Sequence, residues 1–430
     1  MQLANVQIPG GLQTYVFGLD GHNCVFLSGR TNGLHGFNFG NDNFPPLEQN
    51  TNVYVLDLKT SEVYVKSLAD PSSGLSQSEI DSLSVTAAQF FQSNKTLYMN
   101  GGYGVDTNTG TFGTKPILSA IDIPGLIHWV KKPSKKETAK QHIRQISHPI
   151  FQVTGGALYQ SNPHAPFLLM FGQNFDGFYS AFSNGVYTQQ VRSFRLIDDG
   201  YALAVFAEKY NQPNPNYRRR DLNVVPIIQA KGNSYEESFL ALSGVFTLDG
   251  GVWTVPVFIN AFGDSFMPDP LDENTFKQGM NNYNSARLGL FSKKTGEMHT
   301  LLLGGISYEF PLNGEFLFDA EMPFDNSVTD VVIDKNGNIA QYLMANSYPF
   351  ILSIFGSLPG GPLLFGAGAR FVPAGNLPNF SQRVFSLDSL KQRTLLGYVV
   401  GGIMSTLPDT QFATDSAASP YIFEVYATPR

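Results

Sequence analysis

Six times along the chain an apolar run ends in glycine: Val25 to Gly29, Leu97 to Gly102, Phe167 to Gly172, Phe239 to Gly244, Leu301 to Gly305 and Tyr398 to Gly402. The successive final glycines stand 73, 70, 72, 61 and 97 residues apart, too regular for chance and longer than a minimal four-stranded unit needs, so loops must be inserted in most units. A second short apolar segment precedes each run, and the pair reads as a hairpin: Thr14 to Leu19, Val85 to Phe91, Phe151 to Tyr159, Leu222 to Gln229, Ala286 to Phe291 and Gln382 to Leu387. After each glycine comes a polar loop and then alternating strands, clearest in Asn52 to Val65 around a tight turn at Lys59 to Ser61. Counterparts are Ile117 to Val130, Val191 to Phe206 and Val328 to Leu343. Four strands per unit, with glycine after the second, predict an all-β fold: a six-bladed β-propeller of four-stranded antiparallel blades.

The final strand, Tyr421 to Thr428, would lack an outer partner unless Leu3 to Ile8 pairs with it, so the ring is expected to close by pairing of N- and C-terminal strands, which removes an exposed edge. All-β rings exceed the usual domain size as single units, so the 430 residues are read as one domain over 1–430. The expected blades are 10–70, 83–132, 148–210, 220–270, 283–345 and 380–430 with 1–9, and the insertions 133–147 and 346–376. Composition agrees: 42 glycines, 26 prolines, 35 phenylalanines and 19 tyrosines against 15% charged residues describe short aromatic strands joined by turns.

The units resemble the kelch repeat, in which a glycine doublet closes the second strand. Gly101-Gly102, Gly304-Gly305 and Gly401-Gly402 match the doublet, whereas Ser28-Gly29, Phe171-Gly172 and Ser243-Gly244 keep one glycine. The aromatic of the kelch fourth strand is matched by Trp129, and elsewhere by Tyr64 or Tyr342. The resemblance extends to the galactose oxidase-like propellers, yet copper radical oxidases need a cysteine-linked tyrosine and paired histidines. Cys24, the one cysteine, stands in an apolar strand and reads as a buried thiol; it permits neither a disulfide nor a thiolate cluster.

A formal charge of −7 gives no general attraction to nucleic acid. The seven histidines are scattered, and His-Glu-x-x-His, Gly-x-Ser-x-Gly and phosphate-loop motifs are missing, so no catalytic residue, metal or cofactor is expected. Asp106 to Gly110 and Asp334 to Gly337 lack the later glutamate of a calcium loop and read as turns. The charge-free stretch Ser347 to Ala369 is interrupted by Pro349, Pro359, Gly360, Gly361 and Pro362, which argues against a transmembrane helix. Residues 348–372 are expected to form a hairpin packed over the ring or an apolar contact surface for a partner. Met1 to Asn5 lack the regions of a secretion signal, which leaves either a cytoplasmic protein or an exported one whose signal has been removed; low lysine and abundant asparagine and phenylalanine favour the exported reading.

Candidate binding residues come from two places. The loops after the glycines carry Arg30, Asn32 and His35, then Tyr103 and Asp106, then Asn174 and Asp176, types that suit sugar hydroxyls and ring faces but also form ordinary turns. Arg220, Arg287 and Arg383 are read as occupying the same place just before the first strands of three successive blades, near one mouth of the ring, where guanidinium groups could converge on an anion or pair with acids of a neighbouring blade. A basic run, Lys131 to Ile146 with Lys131, Lys132, Lys135, Lys136, Lys140, His142 and Arg144, reads as a solvated loop or short helix, the alternative being a docking patch for an acidic partner. The leading expectation is a non-catalytic binding or scaffold propeller that recognises a protein or glycan through loops on one face. The alternative, by analogy with kelch-like sialic acid epimerases, is an enzyme acting on an anionic sugar.

Overall fold

The computed structural model describes residues 1–37, 43–132, 136–180, 185–232, 234–375, 377–381, 383–410 and 412–428; Lys135 and Gln382 lie outside the described residues. Six sheets, each built on four antiparallel strands and one of them extended by a fifth strand, are arranged as a six-bladed β-propeller. The chain divides into two compact units, an N-terminal unit Leu12–Arg220 and a C-terminal unit formed by Met1–Gly11 and Asp221–Arg430.

The N-terminal unit holds blade one (Val16–Asp20, Asn23–Leu27, Asn52–Asp57, Glu62–Ser67), blade two (Gln89–Ser93, Thr96–Asn100, Ile117–Asp122, Ile143–Ser147) and blade three (Ala157–Tyr159, Phe167–Met170, Val191–Asp198, Leu203–Tyr210). The C-terminal unit holds blade four (Asn223–Lys231, Ser234–Leu242, Val257–Ile259, Ser265–Phe266) and blade five (Ala286–Ser292, Glu297–Ile306, Phe324–Ile333, Ile339–Leu343). Blade six combines Arg370–Pro373, Thr394–Val400 and Tyr421–Ala427 with Gln2–Gln7, so the first strand of the chain completes the last blade. Apolar side chains of adjacent blades face each other and make the core, as Val25, Val53, Leu97 and Ile121 do between blades one and two.

The glycine-ended runs have one backbone conformation in all six blades. The first residue of each doublet is left-handed, with φ from +24° at Ser243 to +65° at Gly304, and the second has φ from +80° at Gly172 to +120° at Gly305. Ser28, Phe171 and Ser243 therefore adopt the same conformation as the glycines they replace. In four of the described blades the N–H of the second doublet residue donates to a backbone carbonyl of the segment that precedes the following first strand. The N–H of Gly29 donates to Val85 O at 2.8 Å, that of Gly102 to Val153 O at 2.9 Å, that of Gly172 to Arg219 O at 2.8 Å and that of Gly305 to Phe365 O at 3.1 Å. A second left-handed residue recurs two positions before every first strand: Thr14, Ala87, Gly155, Asp221, Asn284 and Gly368.

Three expectations need correction. Trp129, expected in a fourth strand, lies buried on a helix, α1 (Ile123–Lys131), and the fourth strand of blade two is Ile143–Ser147, inside the expected insertion 133–147 and the basic run. The helical period prevails there: Ile123, Leu126, Ile127 and Val130 form one buried face at i, i+3, i+4 and i+7, and Pro124 suits the first turn. Blade six begins at Arg370, within the expected insertion 346–376, and the expected hairpin is confined to residues 351–363, where the Leu363 N–H donates to Ile351 O and the Ser353 N–H to Gly361 O, both at 2.8 Å; the chain then runs into the core through Leu363, Phe365 and Ala369. The strand expected at Gln382 to Leu387 is Val384–Ser386, which adds in parallel to the edge of blade five.

Candidate functional site

In the N-terminal unit the loops that follow the doublets interlock. Blade two sends out the hairpin Tyr103–Asp106 with Thr111–Thr114, and blade three the shorter pair Gln173–Asn174 with Val186–Tyr187. The Thr114 N–H donates to Phe175 O at 2.9 Å and the Gly177 N–H to Phe112 O at 2.9 Å, which locks the two together. The blade-one loop joins them through Asn43, whose Nδ2 donates to Tyr179 O at 2.9 Å, and Gln49, whose Oε1 accepts from the Val105 N–H at 2.8 Å. Tyr103, Val105, Phe112 and Phe175 form an apolar core of their own beneath this surface, with Phe44 and Tyr179 packed against it.

Two arginines and a histidine are set into that frame. Arg30 is buried; its Nε donates to Asn32 Oδ1 and its Nη2 to Pro45 O, both at 2.9 Å, and its guanidinium lies 5.1 Å from the centre of the Phe44 ring. His35 contacts that ring from its own position, 5.1 Å between centres, and also Tyr179 at 4.7 Å. Arg220, buried, lies 5.7 Å from the centre of the Tyr179 ring. The result is a row, Arg30, Phe44, His35, Tyr179, Arg220, in which each aromatic ring touches two of the basic side chains. Exposed Phe37 lies 4.9 Å from His35, and exposed Phe178 lies 5.1 Å from Phe112.

Burial sets the charge states here. It pulls the Arg30 guanidinium down to about 10, against the raising influence of Glu48 and Tyr103. It pulls His35 down to about 4, helped by the positive charges of Arg220 and Arg30 and opposed by the bond to Gly36 O. At neutral pH the His35 imidazole is therefore uncharged. Its Nδ1 stands 2.9 Å from Gly36 O, a group that only accepts, so Nδ1 carries the proton and Nε2 is left as an acceptor. Tyr103 is structural: its hydroxyl donates to Gly177 O at 2.8 Å and accepts from the Tyr179 N–H at 3.1 Å, and burial pushes it up to about 12.

Of the residues singled out from sequence, Arg30, Asn32, His35, Tyr103 and Arg220 meet in this cluster. Asp106 is a turn former, its Oδ1 accepting from the N–H groups of Asn108 and Thr109 at 3.1 Å. Asn174 pairs with Val186 in the two-stranded loop that follows the blade-three doublet, and exposed Asp176 bridges Gly113. Arg287 and Arg383 do not share the position of Arg220. Arg220 stands three residues before a first strand, Arg287 is the second residue of one, and Arg383 precedes the edge strand Val384–Ser386. Arg287 donates from Nε to Val224 O at 3.0 Å and so pins blade five to blade four, while Arg383 draws down the carboxyl of Glu237, which burial raises. Phe44 and Tyr179 were missed; the signal that could have found them is the crowding of aromatic residues in the loops 35–44 and 175–179.

No family model matches the chain, and no curated protein does. Among solved structures, one titled "Structure of YjhT" is similar with a TM-score of 0.48 and 10% identity, over 98% of this chain and 96% of that one.

Proposed function

We propose that the protein is a non-catalytic, kelch-like binding propeller, and that the interlocked loops of blades one to three hold a carboxylate-bearing sugar or glycan. The observation that carries this reading is the row from Arg30 to Arg220, with neutral His35 at its centre. A guanidinium deprived of water gains from an anionic partner, and its planar fork matches a carboxylate. His35 Nε2 suits a donating sugar hydroxyl, and the exposed faces of Phe37 and Phe178 suit the apolar face of a sugar ring. The glycine doublets after the second strands support the kelch-like kinship.

The test is a thermal-shift comparison of glucuronate with glucose on wild type and Arg220→Gln. A ligand at 100 times its Kd stabilises the folded state by about 2.7 kcal/mol, enough to read. Stabilisation by glucuronate alone, lost in Arg220→Gln, is the expected result. Equal shifts with glucose, or glucuronate binding that survives the substitution, would overturn it. The enzymatic alternative, conversion of an anionic sugar, draws on the same cluster, and uncharged His35 as a proton acceptor is the feature that favours it; epimerised sugar in the incubation would decide for it.

A further inference from the structure

A second surface, wholly within the C-terminal unit, has a different chemistry. The loop after the blade-five doublet is a two-stranded ribbon, Glu309–Leu312 with Glu315–Phe318, closed by an Asn313-Gly314 turn in which both residues are left-handed. Alternation puts Phe316 and Phe318 on one face and Leu312 and Leu317 on the other, yet all four are exposed, Phe318 to 64%. A two-stranded ribbon with large apolar side chains in water on both faces has little to stabilise it unaided.

Neighbouring loops extend the surface. The Phe324 N–H donates to Pro408 O at 2.8 Å, the Ser357 N–H to Asp415 Oδ1 at 3.1 Å and the Leu364 N–H to Ser405 O at 2.9 Å, so residues 319–327, 350–365 and 403–418 meet. They add exposed Phe350 at 74%, Ile354 at 93% and Phe412 at 68%.

Charge on these segments has one sign. Residues 304–327 carry Glu309, Glu315, Asp319, Glu321 and Asp325, residues 344–369 carry no charge, and residues 401–420 carry Asp409 and Asp415; none of the three contains lysine, arginine or histidine. The carboxyl of Asp409 is raised by burial and by the nearness of Asp319 and Glu321, as expected of like charges without a compensating cation. Among the described residues no three such groups lie close enough to hold a metal ion. Asp415 is buried and accepts from the Ser357 and Phe412 N–H groups, and burial raises the Asp325 carboxyl, so the surface charge is that of Glu309, Glu315, Asp319, Glu321 and Asp409; it is spread over the surface, which matches a partner whose cations are spaced along a chain.

We infer that the ribbon 309–318 and the loops around Phe350, Ile354 and Phe412 dock a cationic amphipathic segment of another protein, apolar side chains against the exposed rings and lysine or arginine against the surrounding carboxylates. This goes beyond the sugar reading and does not depend on it, since no residue is shared with the Arg30 to Arg220 row.

The experiment is fluorescence anisotropy on the full chain with three labelled peptides: an amphipathic Lys/Leu peptide, a Glu/Leu peptide of the same pattern and a polar Lys/Ser peptide. The Lys/Leu peptide binds best, salt weakens it, and Phe316→Ser/Phe318→Ser raises its Kd about tenfold or more, the scale of losing two interface anchors. Both positions are exposed, so the variant should keep its melting temperature; Glu315→Lys/Glu321→Lys, on the same surface, weakens binding through charge alone. No binding of the Lys/Leu peptide, equal binding of the Glu/Leu peptide, or a Kd unmoved by either double substitution would overturn the inference. Equal binding of the Lys/Ser peptide would reduce the surface to a diffuse acidic patch and also overturn it.

Discussion

Gly101→Ala and Gly110→Ala differ in one physical respect, which makes them a clean test of why the doublets exist. Both glycines are left-handed, with φ of +62° and +71°. A Cβ at Gly110 would meet nothing within 4 Å, whereas one at Gly101 would lie 1.9 Å from Val153 O and 2.7 Å from Phe151 O, backbone atoms of the next blade. Each substitution incurs the left-handed penalty of about 1–2 kcal/mol, partly offset by about 0.4–1 kcal/mol from a stiffer unfolded chain. Gly110→Ala should therefore cost about 1 kcal/mol or less. Gly101→Ala must also displace a carbonyl that accepts from the Gly102 N–H at 2.9 Å, adding an overpacking cost of about 1–3 kcal/mol and the partial loss of a hydrogen bond. A total of about 3 kcal/mol follows from those terms. Urea denaturation of both variants reads the difference. Equal midpoints would show that the doublet serves only the backbone angle, and that the close approach of blades two and three plays no part.

Three further outcomes follow from the structure. Deleting residues 1–8 removes the partner of Tyr421–Ala427 in blade six and exposes that edge; the melting temperature should fall and light scattering on heating should rise, while an unchanged melt would contradict closure by the terminal strands. His299 Nδ1 lies 2.8 Å from Asp330 Oδ2, and this bond raises the imidazole above its ordinary value against the effect of burial. A raised folded-state value means that the stabilisation is complete below the unfolded value of about 6.5 and is lost as pH rises through the folded one. The gap in urea midpoint between wild type and His299→Gln should accordingly shrink from about pH 5.5 to about pH 8.5; a constant or widening gap would refute it. Arg287→Met removes the donor to Val224 O and should destabilise by about 1–3 kcal/mol without affecting sugar binding, in line with an inter-blade role.

Much of the ring was legible because its repeat is carried by chemistry that only a few residues supply. The six glycine-ended runs mark the second strands correctly even where serine or phenylalanine takes the first doublet position. The other recurrent left-handed residue, two before each first strand, was hidden because Thr14, Ala87, Gly155, Asp221, Asn284 and Gly368 share a conformation and no side-chain property. That is why Arg370–Pro373 went unread and Val384–Ser386 took its place. The helix at Ile123–Lys131 was obscured by apolar and β-branched residues that suit strands as well. The binding row was half legible: Arg30, His35 and Arg220 were visible as chemistry, but their meeting through Phe44 and Tyr179 is made by loops of three blades, and no local pattern encodes it.

The most direct measurement of the central claim is the titration of His35 by NMR, with its imidazole signal identified by loss in His35→Gln, in the presence and absence of glucuronate. Free protein should show a value near 4, and a bound carboxylate between Arg30 and Arg220 should raise it, because the anion counters the two positive charges that help hold it down. A His35 signal that titrates identically with and without glucuronate would contradict an anion site at this row.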